Sequence, residues 1–121
     1  MNVQPLFNKL DIFNVEYAVM RNFVNLPNIS GTDLDIYVKE ADRHNFQAAL
    51  LSLSNDCIFH IIRGTNSKNF ESFMIFDTQS KEICGFRLDV NFGLYFRGQK
   101  LLVDDLGEHI EGRYGAFVFS A

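Results

Sequence analysis

The sequence has no tryptophan, only two cysteines and three histidines, and no surplus of positive charge. No set of His and Cys residues has zinc spacing, so a structural zinc site is excluded. Cys57 and Cys84 both sit in apolar, strand-like runs and read as two buried free thiols rather than as a disulfide. The formal net charge is −4, whereas proteins that grip a nucleic-acid backbone are normally basic, so long DNA or RNA is not expected as a partner. No apolar stretch approaches the roughly 20 residues of a membrane helix. The start, Met1-Asn2-Val3-Gln4-Pro5, lacks the basic region and apolar block of a secretory leader. The expectation is a cytoplasmic protein with no membrane partner. There is no Gly-x-Gly-x-x-Gly, no Walker loop, no internal repeat and no linker.

What is present is a chain of 121 residues, 47% hydrophobic, with 13 phenylalanines. This is enough for one core, so residues 1–121 read as a single domain. The chain stops two residues after an apolar run, as the N-terminal part of a longer protein also would. Leu6, Leu10 and Phe13 recur at helical spacing and predict a helix over residues 3–14, with Pro5 suited to its first turn. Tyr17–Met20 is a short apolar run that reads as a buried strand. Residues 21–32 carry loop chemistry (Asn22, Asn25, Pro27, Asn28, Ser30, Gly31). Asp33 to Lys39 alternates as a strand does. Phe46, Ala49, Leu50 and Leu53 lie on one face of an amphipathic helix over residues 41–54. Further strands are expected at Cys57–Arg63 and Phe70–Asp77, joined by a polar loop from Gly64 to Asn69. A long strand is expected at Ile83–Phe96, bending at Gly93, with short ones at Leu101–Val103 and Ala116–Phe119. This order argues for an α/β or α+β fold, a mixed sheet with helices on one face.

The chemistry concentrates in Gly31-Thr32-Asp33-Leu34-Asp35-Ile36. Strand alternation sends Asp33 and Asp35 to one face and Leu34 and Ile36 to the other. Aspartate is depleted in strands, and two side by side repel. Such a pair either faces solvent on an open sheet or faces a cation. Mg²⁺ takes hard oxygen donors and is typically held by one or two carboxylates plus substrate phosphates. A third candidate is Asp89 in Phe86-Arg87-Leu88-Asp89-Val90-Asn91, where the apolar residues share one face and Arg87, Asp89 and Asn91 the other. Arg63, Lys68, Arg87 and Arg97 read as solvated cations or as phosphate contacts. His44 is expected to be exposed on its helix and His60 to be a core histidine; His109 falls in a charged loop. Asp104, Asp105, Glu108 and Glu111 read as a solvated acidic loop.

The arrangement resembles the nucleotidyltransferase superfamily, which includes DNA polymerase beta and the small bacterial nucleotidyltransferases. Its signature is a strand, a Gly-Ser at a helix start, an Asp-x-Asp opening the next strand, and a third Asp from a later strand. Asp33, Asp35 and Asp89 match the three carboxylates, which implies a nucleotidyltransferase-like fold, catalytic and metal-binding roles for all three, Mg²⁺ or Mn²⁺ as cofactor, and a nucleoside triphosphate as substrate. Arg21, Asn22, Gly31 and Thr32 stand where the family binds nucleotide. Here Arg21-Asn22 replaces Gly-Ser, so backbone approach to phosphate gives way either to a guanidinium–phosphate contact or to an ion pair of Arg21 with Asp33 or Asp35. The segments Tyr17–Asn22, Leu26-Pro27, Gly31–Asp35 and Leu88–Leu94, followed by Phe96-Arg97-Gly98, are similar to a branch found in bacterial polysaccharide and surface-glycan gene neighbourhoods. The resemblance covers roughly residues 15–105. It implies nucleotidyl transfer to an unknown hydroxyl acceptor, aided by a further domain or protein partner, or else a catalytically degenerate domain of the same fold that binds a nucleotide or a protein.

Overall fold

The computed structural model describes residues 1–20, 26–29, 33–82, 84–93, 95–96, 99–100, 110–113 and 116–119. The elements run α1 (Gln4–Ile12), β1 (Tyr17–Val19), β2 (Leu34–Val38), a 3₁₀ turn (Glu40–Asp42), α2 (Arg43–Asn55), β3 (Phe59–Asn66), β4 (Phe70–Asp77) and β5 (Gly85–Phe92). The short strands β6 (Tyr95–Phe96), β7 (Gln99–Lys100), β8 (Ile110–Arg113) and β9 (Ala116–Phe119) follow. Seven strands make one mixed sheet in the order β3-β4-β5-β2-β1-β9-β8, and β6 pairs with β7 separately. At its centre β2 and β5 run parallel, whereas β1 pairs antiparallel with β2 and β4 antiparallel with β5. The expected fold class, a mixed sheet covered on one face by helices, is the observed one. Among the described residues no helix is long and apolar enough to cross a membrane.

Period-2 alternation decides which face is buried. Tyr17, Val19, Leu34, Ile36, Val38, Phe73, Ile75, Phe86, Leu88, Val90 and Phe92 point to one side and form a single core with Leu6, Phe7 and Leu10 of α1 and Phe46, Ala49, Leu50 and Leu53 of α2. Phe7 stacks on Tyr17 at 5.7 Å, and Phe46 meets the edge of Phe92 at 5.6 Å. Such aromatic pairs add roughly 0.5–1.5 kcal/mol beyond their burial. Lys9 fastens α1 to α2 through Asp56 (2.8 Å) and Ser52 (2.9 Å). Asn14 takes φ 57° after α1, a left-handed cap that asparagine tolerates, and the Val15 N–H donates back to the Leu10 carbonyl at 2.9 Å.

Several sequence expectations shift. The first helix ends at Ile12 rather than residue 14, and the second begins at Arg43, after a 3₁₀ turn. β3 extends to Asn66 because its pairing with β4 persists past Arg63 through a bulge, so half of the expected polar loop is strand. β5 stops at Phe92, where Gly93 takes φ 79°. β8 occupies part of the expected charged loop, with Glu111 opposite Val118. Cys57 is exposed rather than buried: it caps the turn after α2 with φ 61° instead of lying in a strand. Cys84 is only partly buried, and neither thiol forms a disulfide. His60 is also exposed, because on edge strand β3 its position faces away from the helices. His44 is exposed as expected. Leu101–Val103, Arg97, Asp104, Asp105, Glu108 and His109 lie outside the described residues.

Candidate active site

The carboxylates lie on the face opposite the helices. β2 and β5 pair in parallel register, with Leu34 beside Leu88, Asp35 beside Asp89 and Ile36 beside Val90. Register thus sets two aspartates from distant parts of the chain side by side, with their apolar neighbours turned into the core. Asp33 immediately precedes β2 and is exposed, whereas Asp35 is half-buried and Asp89 is buried. The Met20 N–H donates to the Asp35 carbonyl at 2.9 Å, so the backbone at Asp35 is held by the chain leaving β1.

β4 supplies the wall on the far side of β5. Ser72 is the cross-strand partner of Asp89 and is buried; its Oγ accepts the Thr65 N–H at 2.9 Å. Gly64 permits this approach, since a Cβ there would lie 2.7 Å from the Ser72 Oγ. One step along, Met74 of β4 lies between Ile62 of β3 and Arg87 of β5, so an apolar strip, half exposed at Ile62, borders the acidic cluster.

Arg87 is the residue whose role the sequence did not reveal. Its Nε donates to Asp89 Oδ1 at 2.7 Å, two positions along the same strand and face. Arg87 is exposed, as expected of a solvated cation, and it also forms an ion pair inside the acidic cluster. An Arg-x-Asp spacing in a strand was the available signal. The guanidinium pKa is raised, chiefly by the Asp89 hydrogen bond and charge, with Asp33 and Asp35 contributing. Burial raises the Asp89 pKa above the ordinary carboxylate value; Arg87 opposes this, and the Asp35 and Asp33 charges add to it.

Asp33, Asp35 and Asp89 are hard oxygen donors on one face at the start and middle of adjoining strands, the donor chemistry that suits Mg²⁺. Among the described residues, however, no three His, Cys, Asp or Glu side chains converge as a ready metal cage, and Arg87 rather than another donor is bonded to Asp89. Arg21, Asn22, Gly31 and Thr32, the expected nucleotide contacts, lie outside the described residues.

A second charged cluster escaped the sequence reading altogether. Glu71 is fully buried on the helix side of β4. Arg63 of β3 reaches it at 2.8 Å and Arg43 at the start of α2 at 3.5 Å. Arg43 also donates to the Ser67 and Lys68 carbonyls and to Asn66 Oδ1, and its guanidinium lies 4.4 Å from the centre of the Phe92 ring. Arg63, expected to be solvated or to contact phosphate, is exposed and also pairs with the buried Glu71.

No protein-family profile matches the chain, and no curated protein matches its sequence. Solved structures do match its fold. The crystal structure of JHP933 from Helicobacter pylori aligns with TM-score 0.61 and 12% identity over 97% of this chain and 48% of that one. The crystal structure of a "putative nucleotidyltransferase" from H. pylori aligns with TM-score 0.56 and 12% identity over 97% of this chain and 50% of its own. The chain thus spans about half the length of the solved structures it matches, and what it shares with them at this identity is a nucleotidyltransferase-like fold.

Proposed function

We propose that this domain carries out nucleotidyl transfer from a nucleoside triphosphate to a hydroxyl acceptor in the cytoplasm, with Asp33, Asp35 and Asp89 as its carboxylates. The observation that carries this reading is the register of Asp35 beside Asp89 on adjacent parallel strands, on the face the helices leave uncovered. The two buried strands that present them are apolar on the core side, so the fold holds both carboxylates against mutual repulsion without need of either for packing. A cation or a proton-bearing group is what such a pair stabilises.

Asp33, Asp35 and Asp89 would hold Mg²⁺, which when bound offsets triphosphate charge and lowers the pKa of a nearby hydroxyl. The rest falls to the chain's own groups. The acceptor oxygen attacks the α-phosphorus, the bond to pyrophosphate breaks, and the hydroxyl proton passes to the Asp89 carboxylate. Burial favours this role for Asp89, because it strengthens the carboxylate as a proton acceptor.

One observation favours a second reading: Arg87 already bonds Asp89, as it would in a degenerate domain that no longer uses a metal. Calorimetric titration with ATP, CTP, GTP and UTP, each in Mg²⁺ and in EDTA, separates the two. Catalysis requires binding of one nucleotide that depends on Mg²⁺ and disappears in Asp35→Asn. Binding that ignores EDTA, or no binding at all, overturns it in favour of the degenerate domain.

A further inference from the structure

We infer that the cleft between the start of α1 and the adjoining ends of β3 and β4 binds a neutral polyhydroxylated molecule, a monosaccharide or disaccharide. The cleft holds about 430 Å³, within the roughly 300–1,000 Å³ usual for small-molecule sites. It is separate from the aspartates of the candidate active site. Asp77, which lines it, stands five residues along β4 from Ser72, the partner of Asp89, or about 16 Å of strand. Asp77 is also the single charged residue among the described residues that line the cleft. An anionic ligand would meet repulsion there with no cation to offset it. A wholly apolar ligand would strand the polar lining. The other polar groups are carboxamides, which carry donors and an acceptor on one neutral group and so match a hydroxyl in either sense.

Three of the polar side chains are already held in place. Asn2 Oδ1 accepts the Gln4 N–H at 2.8 Å, Asn8 Oδ1 accepts from Gln4 Nε2 at 3.0 Å, and Asp77 Oδ1 accepts the Gln79 N–H at 2.8 Å. Each bond uses one end of a side chain and keeps the other for a ligand. Among the contacts described, Nδ2 of Asn2, Nδ2 of Asn8, Oδ2 of Asp77 and the Gln79 carboxamide have no partner. Two donors, one acceptor and one group of both kinds thus line a single cleft, and groups held beforehand lose less freedom on binding. Pro5 and Ile58 add an apolar wall for the C–H face of a sugar ring. The Thr78 N–H and hydroxyl both donate to the Ile58 carbonyl, at 3.1 and 2.8 Å, which fixes that wall to the end of β4. Phe59 is only 3% exposed and offers no open ring face, so a stacked nucleobase is disfavoured.

The test is a titration of the ¹⁵N-labelled protein, read at the side-chain NH₂ resonances of Asn2, Asn8 and Gln79. The probes are glucose, N-acetylglucosamine and maltose, with glucuronate and adenosine as the anionic and nucleobase-bearing alternatives. At least one neutral sugar should shift these resonances. Asn8→Ala or Gln79→Ala, both at exposed positions, should weaken its binding about five-fold while the backbone spectrum keeps its native pattern. Glucuronate should bind more weakly than that sugar, because its carboxylate meets Asp77. The assignment is overturned if no neutral sugar shifts the resonances up to its solubility, or if both variants bind with wild-type affinity. It is equally overturned if glucuronate or adenosine binds more tightly than every neutral sugar.

Discussion

Among the described residues the sheet carries two acid–arginine clusters, one on each face, and they differ in burial. Under the helices, Glu71 has no exposure and is served by Arg43 and Arg63, with Gln47 nearby at 3.5 Å. On the other face, Asp33, Asp35 and Asp89 share Arg87. A buried charge is tolerated only when its partners are complete, so the Glu71 cluster is saturated and serves the scaffold. In the Asp89 cluster the bond described is that of Arg87 to Asp89, and it lies beside solvent, with the Arg87 side chain 48% exposed. The same residue types thus serve the scaffold where the carboxylate is fully buried, and stand at the surface where Arg87 meets Asp89.

The largest effect expected from breaking this contrast falls on the saturated side. Arg43→Met strips Glu71 of one partner, frees the turn at Ser67 and Lys68 and removes the cation over Phe92. Breaking such a buried network should cost about 3–5 kcal/mol in chemical denaturation and leave Mn²⁺ affinity unchanged. A loss below about 1 kcal/mol would mean that the cluster behaves as an ordinary surface pair.

On the other face the expected effect falls on activity rather than on stability. Asp35→Asn should lower nucleotidyl transfer by at least about 10²-fold, roughly 3 kcal/mol of transition-state stabilisation, with little change in unfolding free energy. Assays of pyrophosphate release beside a denaturation curve would show it, and parallel losses in both would reassign Asp35 to the scaffold. A smaller effect is expected at Gly85, at the start of β5, where an added Cβ would lie 2.7 Å from the Phe76 ring and 2.8 Å from the Ile75 carbonyl. Gly85→Ala should cost about 1–3 kcal/mol, because the backbone oxygen cannot yield as a side chain could. Wild-type stability in that variant would show that β4 and β5 slide apart easily, and the register that sets Asp35 beside Asp89 would then be soft.

The smallest effect concerns pH. The Asp89 pKa is raised in the folded state, chiefly by burial, so the folded protein holds that proton more tightly than the unfolded chain does. Its favourable contribution is complete below the unfolded pKa and is lost as pH rises through the folded value. In EDTA at neutral pH, Asp89→Asn should therefore melt slightly higher than wild type, and the gap should close as pH falls into the range where both forms of Asp89 are protonated. A variant that melts lower at neutral pH would show that the bond to Arg87 outweighs the burial of charge.

Much of the fold was legible in advance. Phe70–Asp77 is a strand with the expected bounds, and Tyr17–Val19, Leu34–Val38 and Arg43–Asn55 fall within two residues of expectation, because a period of 2 or 3.6 in apolar residues records directly which side meets the core. Cys57 and His60 were misjudged for a related reason: apolar neighbours in sequence do not reveal that one position caps a turn and the other faces outward on an edge strand. Glu71 left no mark at all, since its partners come from β3 and α2 and nothing near it in the chain distinguishes a buried glutamate from a solvated one.

By itself, then, the sequence determined the sheet, the helices that cover it and the three aspartates that its alternation turns away from the core. Those are local properties, written in the spacing of side chains along one strand or helix. Tertiary structure alone decided that Asp35 and Asp89 meet in register, that the exposed Arg87 bonds Asp89, and that Glu71 is paired with two arginines. Register with a distant strand and the balance of charge in a cluster depend on which segments come together, and spacing along a single chain does not encode that pairing.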